Sequence, residues 1–232
     1  MQGSESFDEF VLFGSRGHSQ MFVIVLEGVW QGRVRLRAVV DDLNNGYLHP
    51  SLGVKVISGA ERAAHHANLP VLLTIGNGET RAKIAARLAE EGAVLATFIN
   101  RVPERVAADA KIGAGTIVDP LTRISPNVVI GAGAQILALA IGHDVTIGDF
   151  ATLAAGCIIN GNVQIGAGVN IGSGAVICNG TPGNPLRIGD GATIAMGAVI
   201  MRDVPPGARM MGNPAMTVRE WMRLQALVRR PG

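Results

Sequence analysis

Aromatic side chains are scarce in this chain: they make up 4% of its 232 residues, while hydrophobic residues of all kinds make up 48%. Its core must therefore be packed mainly with aliphatic groups. Cysteine is rarer still. Cys157 and Cys178 are the only two, and without CxxC spacing they are expected as reduced, small apolar residues of a cytoplasmic protein. No apolar run approaches the roughly 18–20 residues of a membrane span, and Met21–Leu26 is closed by Glu27. No signal peptide is expected either, because the first ten residues are polar and carry Glu5, Asp8 and Glu9. The formal net charge of +2 argues neither for nor against nucleic acid. With no basic block outside residues 219–230, neither nucleic acid nor a membrane is expected as a partner.

What is abundant is a period of six. From Ile112 an aliphatic residue recurs at Val118, Ile124, Ile130 and Ile136. The series resumes at Ile147, Leu153, Ile159, Ile165, Ile171 and Ile177, and again at Ile188, Ile194 and Ile200. Glycine often follows, as in IGAG at Ile112, Ile130 and Ile165. Six is neither the helical period nor simple strand alternation. It fits very short strands joined by tight corners, each sending one branched side chain into a shared interior. This is the signature of a parallel β-helix of hexapeptide repeats.

Before Lys111 the pattern is different. Phe10–Phe13, Val34–Val40, Val71–Ile75 and Ala93–Ile99 read as strands, and helical stretches run to about Leu26 and over Glu79–Glu91. Alternating strands and helices predict a small Rossmann-like parallel α/β domain over residues 1–105. The β-helix is expected over 106–216. Residues 217–232 are expected to form a capping helix with Trp221, Leu224 and Val228 on one face.

Four motifs appear in order: GSRGHS (Gly14–Ser19), the acids Asp41 and Asp42 at a strand end, IGNxxxR (Ile75–Arg81), and HD-x-x-IGDF (His143–Phe150). Together they resemble the hexapeptide-repeat sugar acyltransferases, which include nucleotide-linked 4-amino-sugar N-acetyltransferases and sialic acid O-acetyltransferases. The resemblance covers roughly Phe10 to Ala215. It implies a left-handed β-helix, acetyl-CoA as donor, and a homotrimer with active sites between neighbouring helices.

Acetyl transfer to an amine or hydroxyl needs a base, donors for a tetrahedral oxyanion, and a slot for a long thioester. His143, the only histidine after Lys111, is the candidate base, and Asp144 its modulator. The resemblance assigns them the same roles and adds the Gly161 amide as oxyanion donor. It puts Thr152, Gly161, Ser173 and Met196 (or its neighbour Ala195) along the acetyl-CoA slot. GSRGHS lacks the full GxGxxG fingerprint, which disfavours a dinucleotide cofactor, but a strand-to-helix turn suits an anion. The resemblance points to a nucleotide-sugar held by Arg16, Gly17, His18, Asp41, Asp42 and Gly76.

This chain departs from the family at three places. Thr152 stands where members commonly have a second histidine, ILALAIG replaces an Asn-Thr pair, and Ile136 to Ile147 is one residue short of two hexads. A zinc-dependent β-helix carbonic anhydrase is excluded because it needs three coil histidines, and no metal is expected. The leading expectation is N-acetylation of a nucleotide-linked 4-amino-4,6-dideoxy sugar. O-acetylation of a sugar or sialic acid is the alternative, and an inactive β-helix scaffold a further one.

Overall fold

The computed structural model describes residues 3–15 and 17–228. The chain divides into two units. One comprises residues 1–100, 113–120 and 132–134, and the other residues 101–112, 121–131 and 135–232.

The first unit is built on β1 (Gly3–Ser4), β2 (Glu9–Phe13), α1 (Gly17–Trp30), β3 (Arg35–Val40), β4 (Tyr47–Leu48), β5 (Lys55–Ile57), α2 (Gly59–His65), β6 (Val71–Leu73), α3 (Gly78–Glu90) and β7 (Leu95–Ala96). The sheet order is β1-β7-β6-β2-β3-β5-β4. All pairs are parallel except β4 with β5. The central strands are buried on both faces, hence the uninterrupted apolar runs FVLF and VLL. The sequence reading missed β4, β5 and α2. The first two are short, and seven-residue α2 is fixed by a Ser58–Glu61 capping box rather than by an apolar stripe. From β2 the chain passes to β3 on one side and later to β6 on the other. That reversal of strand order opens a crevice beyond the strand ends, where parallel sheets bind ligands.

The second unit is a parallel β-helix. One sheet stacks Arg123–Ile124, Ala140–Ile141, Ile158–Ile159, Val176–Ile177 and Val199–Ile200. A second stacks Lys111–Ile112, Val129–Ile130, Thr146–Ile147, Val163–Ile165 and Leu186–Ile188. A third contains Gln135–Ile136, Thr152–Leu153, Asn170–Ile171, Thr193–Ile194 and Arg209–Gly212. Each hexad residue closes a strand and points inward. All are buried except Ile112, which is half-buried. Burying one such side chain contributes about 1.5–3 kcal/mol, so stacked coils need no aromatic core.

The missing residue falls in the corner Leu137–Leu139. Ile136 pairs in register with Leu153, and Ile141 with Ile159. Ile141 is the next inward residue, fully buried and only five positions on. The strands therefore keep their register, and the shortening lies at the opposite end of Ala140–Ile141 from His143. The second irregular gap is a loop leaving the coil, pinned by Thr181 against Asn184. At the far end, Ala215–Thr217 pairs antiparallel with Arg209–Gly212. The sheet edge that the sequence assigns to a capping helix is thus taken by a hairpin strand. The helix α4 (Val218–Val228) follows it, with Trp221 half-buried and Leu224 exposed.

The outward residues distinguish the three sheets. On the second they are Lys111, Val129, Thr146, Gln164 and Arg187, all exposed. On the first, Ala140, Ile158, Val176 and Val199 stand in one register column and are half-buried. Of these two faces, the first is the aliphatic one.

Candidate active site

In the first unit, a cavity of about 560 Å³ lies at the carboxyl ends of β2, β3 and β6. Phe13, Val40, Ile75 and Ile84 give it apolar walls, and Ser15, Asp41, Asp42 and Thr74 contribute polar groups. Gly14 stands at φ +119, where a side chain would be strained and would meet Ser19 Oγ at 2.9 Å and Thr74 Oγ1 at 3.0 Å. Those hydroxyls lie 2.8 Å apart, and Thr74 donates to the Phe13 carbonyl at 2.9 Å. Buried His49 braces the same loop: its ring accepts from the Ser51 and Leu52 amides at Nδ1, so Nε2–H donates to the Ser15 carbonyl at 3.1 Å.

Asp41 and Asp42 line this cavity with partners of their own. Asp41 accepts from Ser15 Oγ and from the amides of Leu43 and Asn44. Asp42 accepts from the Gly59 amide at 2.7 Å and from Arg87 Nη1 at 2.7 Å. Desolvation pulls the Asp42 pKa upward, but the Arg87 and Gly59 hydrogen bonds and the Arg87 charge outweigh it, and its carboxyl is held below the usual range. Gly76 also lines the cavity. The IGNxxxR motif has a structural explanation. Asn77 caps α3 by accepting from the Thr80 amide, and buried Arg81 reaches back one turn to the carbonyls of Ile75 (2.7 Å) and Gly76 (3.1 Å). Its Nε donates to the Gly133 carbonyl at 2.6 Å. Arg16 lies outside the described residues, and Gly17 and His18 form the first turn of α1.

In the second unit, His143 occupies a corner between the aliphatic sheet and the second sheet. Its Nδ1 lies 2.7 Å from Asp144 Oδ2, with both side chains exposed. A carboxylate accepts there, so Nδ1 carries a proton, and in the neutral ring Nε2 holds the lone pair. Nε2 has no hydrogen-bond partner among the described residues. The Asp144 carboxyl is held below its ordinary range, first by the His143 hydrogen bond and then by Asn127. Asn127 Nδ2 donates to Asp144 Oδ1 at 3.0 Å. Gly161, one coil on, is buried under the imidazole: a β-carbon there would stand 2.7 Å from Nε2 and 2.8 Å from Cε1. The Gly161 amide donates to no group among the described residues.

The structure brings His143, Asp144 and Gly161 together, while Thr152, Ser173 and Met196 lie apart from them in the same unit. Ser173 and Met196 are exposed in the corners joining the third sheet to the aliphatic one, and Thr152 is half-buried on the third sheet. Within one chain they lie along a different edge from His143. On the His143 edge the sequence reading missed a second cavity of about 410 Å³, lined by residues including Asn179, Gly180, Thr181, Asn184 and Arg202. Gly180 ties its lining to Gly161, because its amide donates to the Gly161 carbonyl at 3.1 Å. Among the described residues no group of three or more His, Cys, Asp or Glu side chains is placed to hold a metal, and no helix is long and apolar enough to cross a membrane.

Residues 144–179 match the bacterial transferase hexapeptide family (six repeats). No curated protein matches the chain. Among solved structures, WeeI from Acinetobacter baumannii AYE is 29% identical, with a TM-score of 0.78 over 90% of this chain and 100% of its own. The acetyltransferase domain of PglB from Neisseria gonorrhoeae FA1090, in complex with acetyl coenzyme A, is 25% identical, with a TM-score of 0.78 over 92% of this chain and 100% of its own. PerB from Caulobacter crescentus, in complex with CoA and GDP-perosamine, shares the fold at 21% identity, with a TM-score of 0.65 over 93% and 99%. Residues 144–179 thus carry the transferase hexapeptide repeat, and over most of its length the chain is similar to the acetyltransferase domain of PglB.

Proposed function

We propose that this protein transfers an acetyl group from acetyl-CoA to the amine of a nucleotide-linked amino sugar of the 4-amino-4,6-dideoxy type. The observation that carries the proposal is the His143 corner: an imidazole with Nδ1 tied to a carboxylate, over Gly161, with neither Nε2 nor the Gly161 amide partnered among the described residues. Similarity to an acetyltransferase domain that holds acetyl coenzyme A supports the choice of donor. The shared fold of a protein that holds GDP-perosamine shows only that this architecture accommodates such a ligand.

In this reading the amine nitrogen attacks the thioester carbonyl while His143 Nε2 removes its proton. Charge then develops on the former carbonyl oxygen, and the Gly161 N–H is the donor that would meet it. Collapse breaks the carbon–sulfur bond, and the imidazolium returns its proton to the departing CoA thiolate. The negative charge of Asp144 stabilises the imidazolium between these steps. The cavity lined by Asn179, Gly180, Thr181 and Arg202, on the same edge of the coils as His143, suits the pantetheine arm. In the first unit the cavity bounded by Asp41, Asp42 and Gly76 suits a nucleoside, with carboxylate acceptors, the Ser15 and Thr74 hydroxyls and apolar walls. A homotrimer fits the aliphatic column Ala140–Ile158–Val176–Val199, because a neighbour covering that face would bring its own Ser173 and Met196 edge to the base.

The test is thiol release from acetyl-CoA with uridine- and guanosine-linked 4-amino-4,6-dideoxy sugars, alongside matched 4-hydroxy sugars and free sialic acid. Turnover confined to the amino sugars supports the reading. Turnover confined to hydroxyl acceptors replaces it with O-acetylation. Acetyl-CoA binding without turnover on any acceptor overturns it.

A further inference from the structure

We infer that Asn127 is the positioning residue of the catalytic corner: its side-chain amide fixes the Asp144 carboxylate, and through it the tautomer and aim of His143. This rests on the reading of His143 as the base. The carboxylate has two oxygens and each has one task. Oδ2 receives the imidazole Nδ1–H at 2.7 Å, and Oδ1 receives the Asn127 amide at 3.0 Å. Asp144 and His143 are both exposed. Without a second anchor, an exposed carboxylate samples its rotamers freely, and solvent competes for Nδ1.

Asn127 is itself anchored. It sits in the corresponding corner one coil earlier, seventeen residues before Asp144 because of the shortened corner, and its main-chain N–H donates to Asp109 Oδ2 at 2.7 Å. The two corners are tied again where the Asp144 amide reaches the Pro126 carbonyl at 3.2 Å. Asn127 and Asp144 both adopt left-handed backbone, at φ +58 and +56. Asn and Asp tolerate that region better than other non-glycine residues. Three coils are thereby linked in the order Asp109, Asn127, Asp144, with the imidazole at the end.

The chemistry needs an amide at position 127. A donor must face the carboxylate, and an acid there would repel it. A cation would compete with the imidazole for the charge of Asp144 and weaken its support of the imidazolium. An outer partner that orients the group holding an imidazole typically matters ten- to hundredfold in function, as orienting partners of ligating histidines do.

The test uses two variants of the full chain. Asn127→Gly removes the amide and keeps the left-handed backbone free of strain. Asn127→Asp keeps the shape and replaces the donor with an acceptor. The first readout is the imidazole nitrogen NMR signal of His143, assigned by its loss in His143→Gln. It should report the Nδ1–H tautomer in the wild type and a shift toward Nε2–H in both variants. The second is kinetic: kcat should fall roughly ten- to hundredfold with KM for both substrates within about twofold, and Asn127→Gly should add little to Asp144→Ala. An unchanged tautomer in both variants, or a full additional loss in the Asp144→Ala background, overturns the inference. If the wild type has no transferase activity, the tautomer shift alone decides: its presence supports the link and sinks only the catalytic reading.

Discussion

The imidazole of His143 fills the space that a side chain on Gly161 would need, with Nε2 2.7 Å from where a β-carbon would stand. The colliding group is the end of a rotatable side chain, and Gly161 has no left-handed φ to protect. Gly161→Ala should therefore fold, with stability within about 1 kcal/mol of wild type. The ring would swing aside, and acetyl transfer should fall roughly a hundredfold. Thermal melts and thiol-release rates on the same preparation check both halves. Full activity in the variant would mean that the ring does not work from this position.

Asp42 makes a pH prediction. Its folded pKa is lowered, so its contribution to stability is present above the unfolded carboxylate value and is lost as pH falls through the folded one. The melting midpoint should hold between about pH 5 and 7 and decline below about 4, near the ordinary Asp value. Asp42→Asn should flatten that acid limb. An identical acid limb in wild type and variant would show that other carboxylates govern it.

Much of this architecture was legible because each coil advertises one inward residue. Isoleucine at Ile159, Ile165 and Ile171 marks the repeat without reference to any distant part of the chain. The His143–Asp144 pair was legible for a similar reason, since its members are adjacent. What escaped depends on neighbours one coil away. Asn127 reaches Asp144 only because coils stack, and a search by equivalent corners would have found it once the missing residue was allowed for. The seat of that missing residue was ambiguous until Ile141 was seen facing inward. In the first unit, Thr74 and His49 belong to no motif. Thr74 follows β6 and His49 follows β4, and each reaches the end of β2 or the loop after it only in the fold. Asp41 and Asp42 stand out in sequence as adjacent acids at a strand end, but the hydrogen bonds that occupy both are set by the fold.

The two cysteines should differ in reactivity. Burial pushes the Cys157 thiol up to about 12, so almost none is thiolate at pH 8. Iodoacetamide at that pH should leave Cys157 unlabelled until the protein is unfolded, as read by peptide mass spectrometry. Labelling of Cys157 in the native protein, at a rate similar to that after denaturation, would contradict its place in the core.

Arg81 is expected to be structural. Burial lowers its pKa to about 10, which still leaves it charged at neutral pH. It donates to the carbonyls of Ile75, Gly76 and Gly133. Arg81→Met would leave these acceptors without the guanidinium and should cost about 2–4 kcal/mol in urea denaturation. Nucleotide affinity should weaken too, because Ile75 and Gly76 line the cavity. A loss below about 0.5 kcal/mol, the range of an ordinary surface substitution, would show that the carbonyls find other partners.

The most direct measurement is kcat for acetyl transfer by wild type and His143→Ala, on whichever nucleotide-linked amino sugar turns over, with acetyl-CoA affinity measured in parallel. The expected result is a fall of about a hundredfold or more, the usual contribution of a general base, with acetyl-CoA affinity unchanged. A variant within about tenfold of wild type, short of that contribution, would contradict the assignment of His143 as the base.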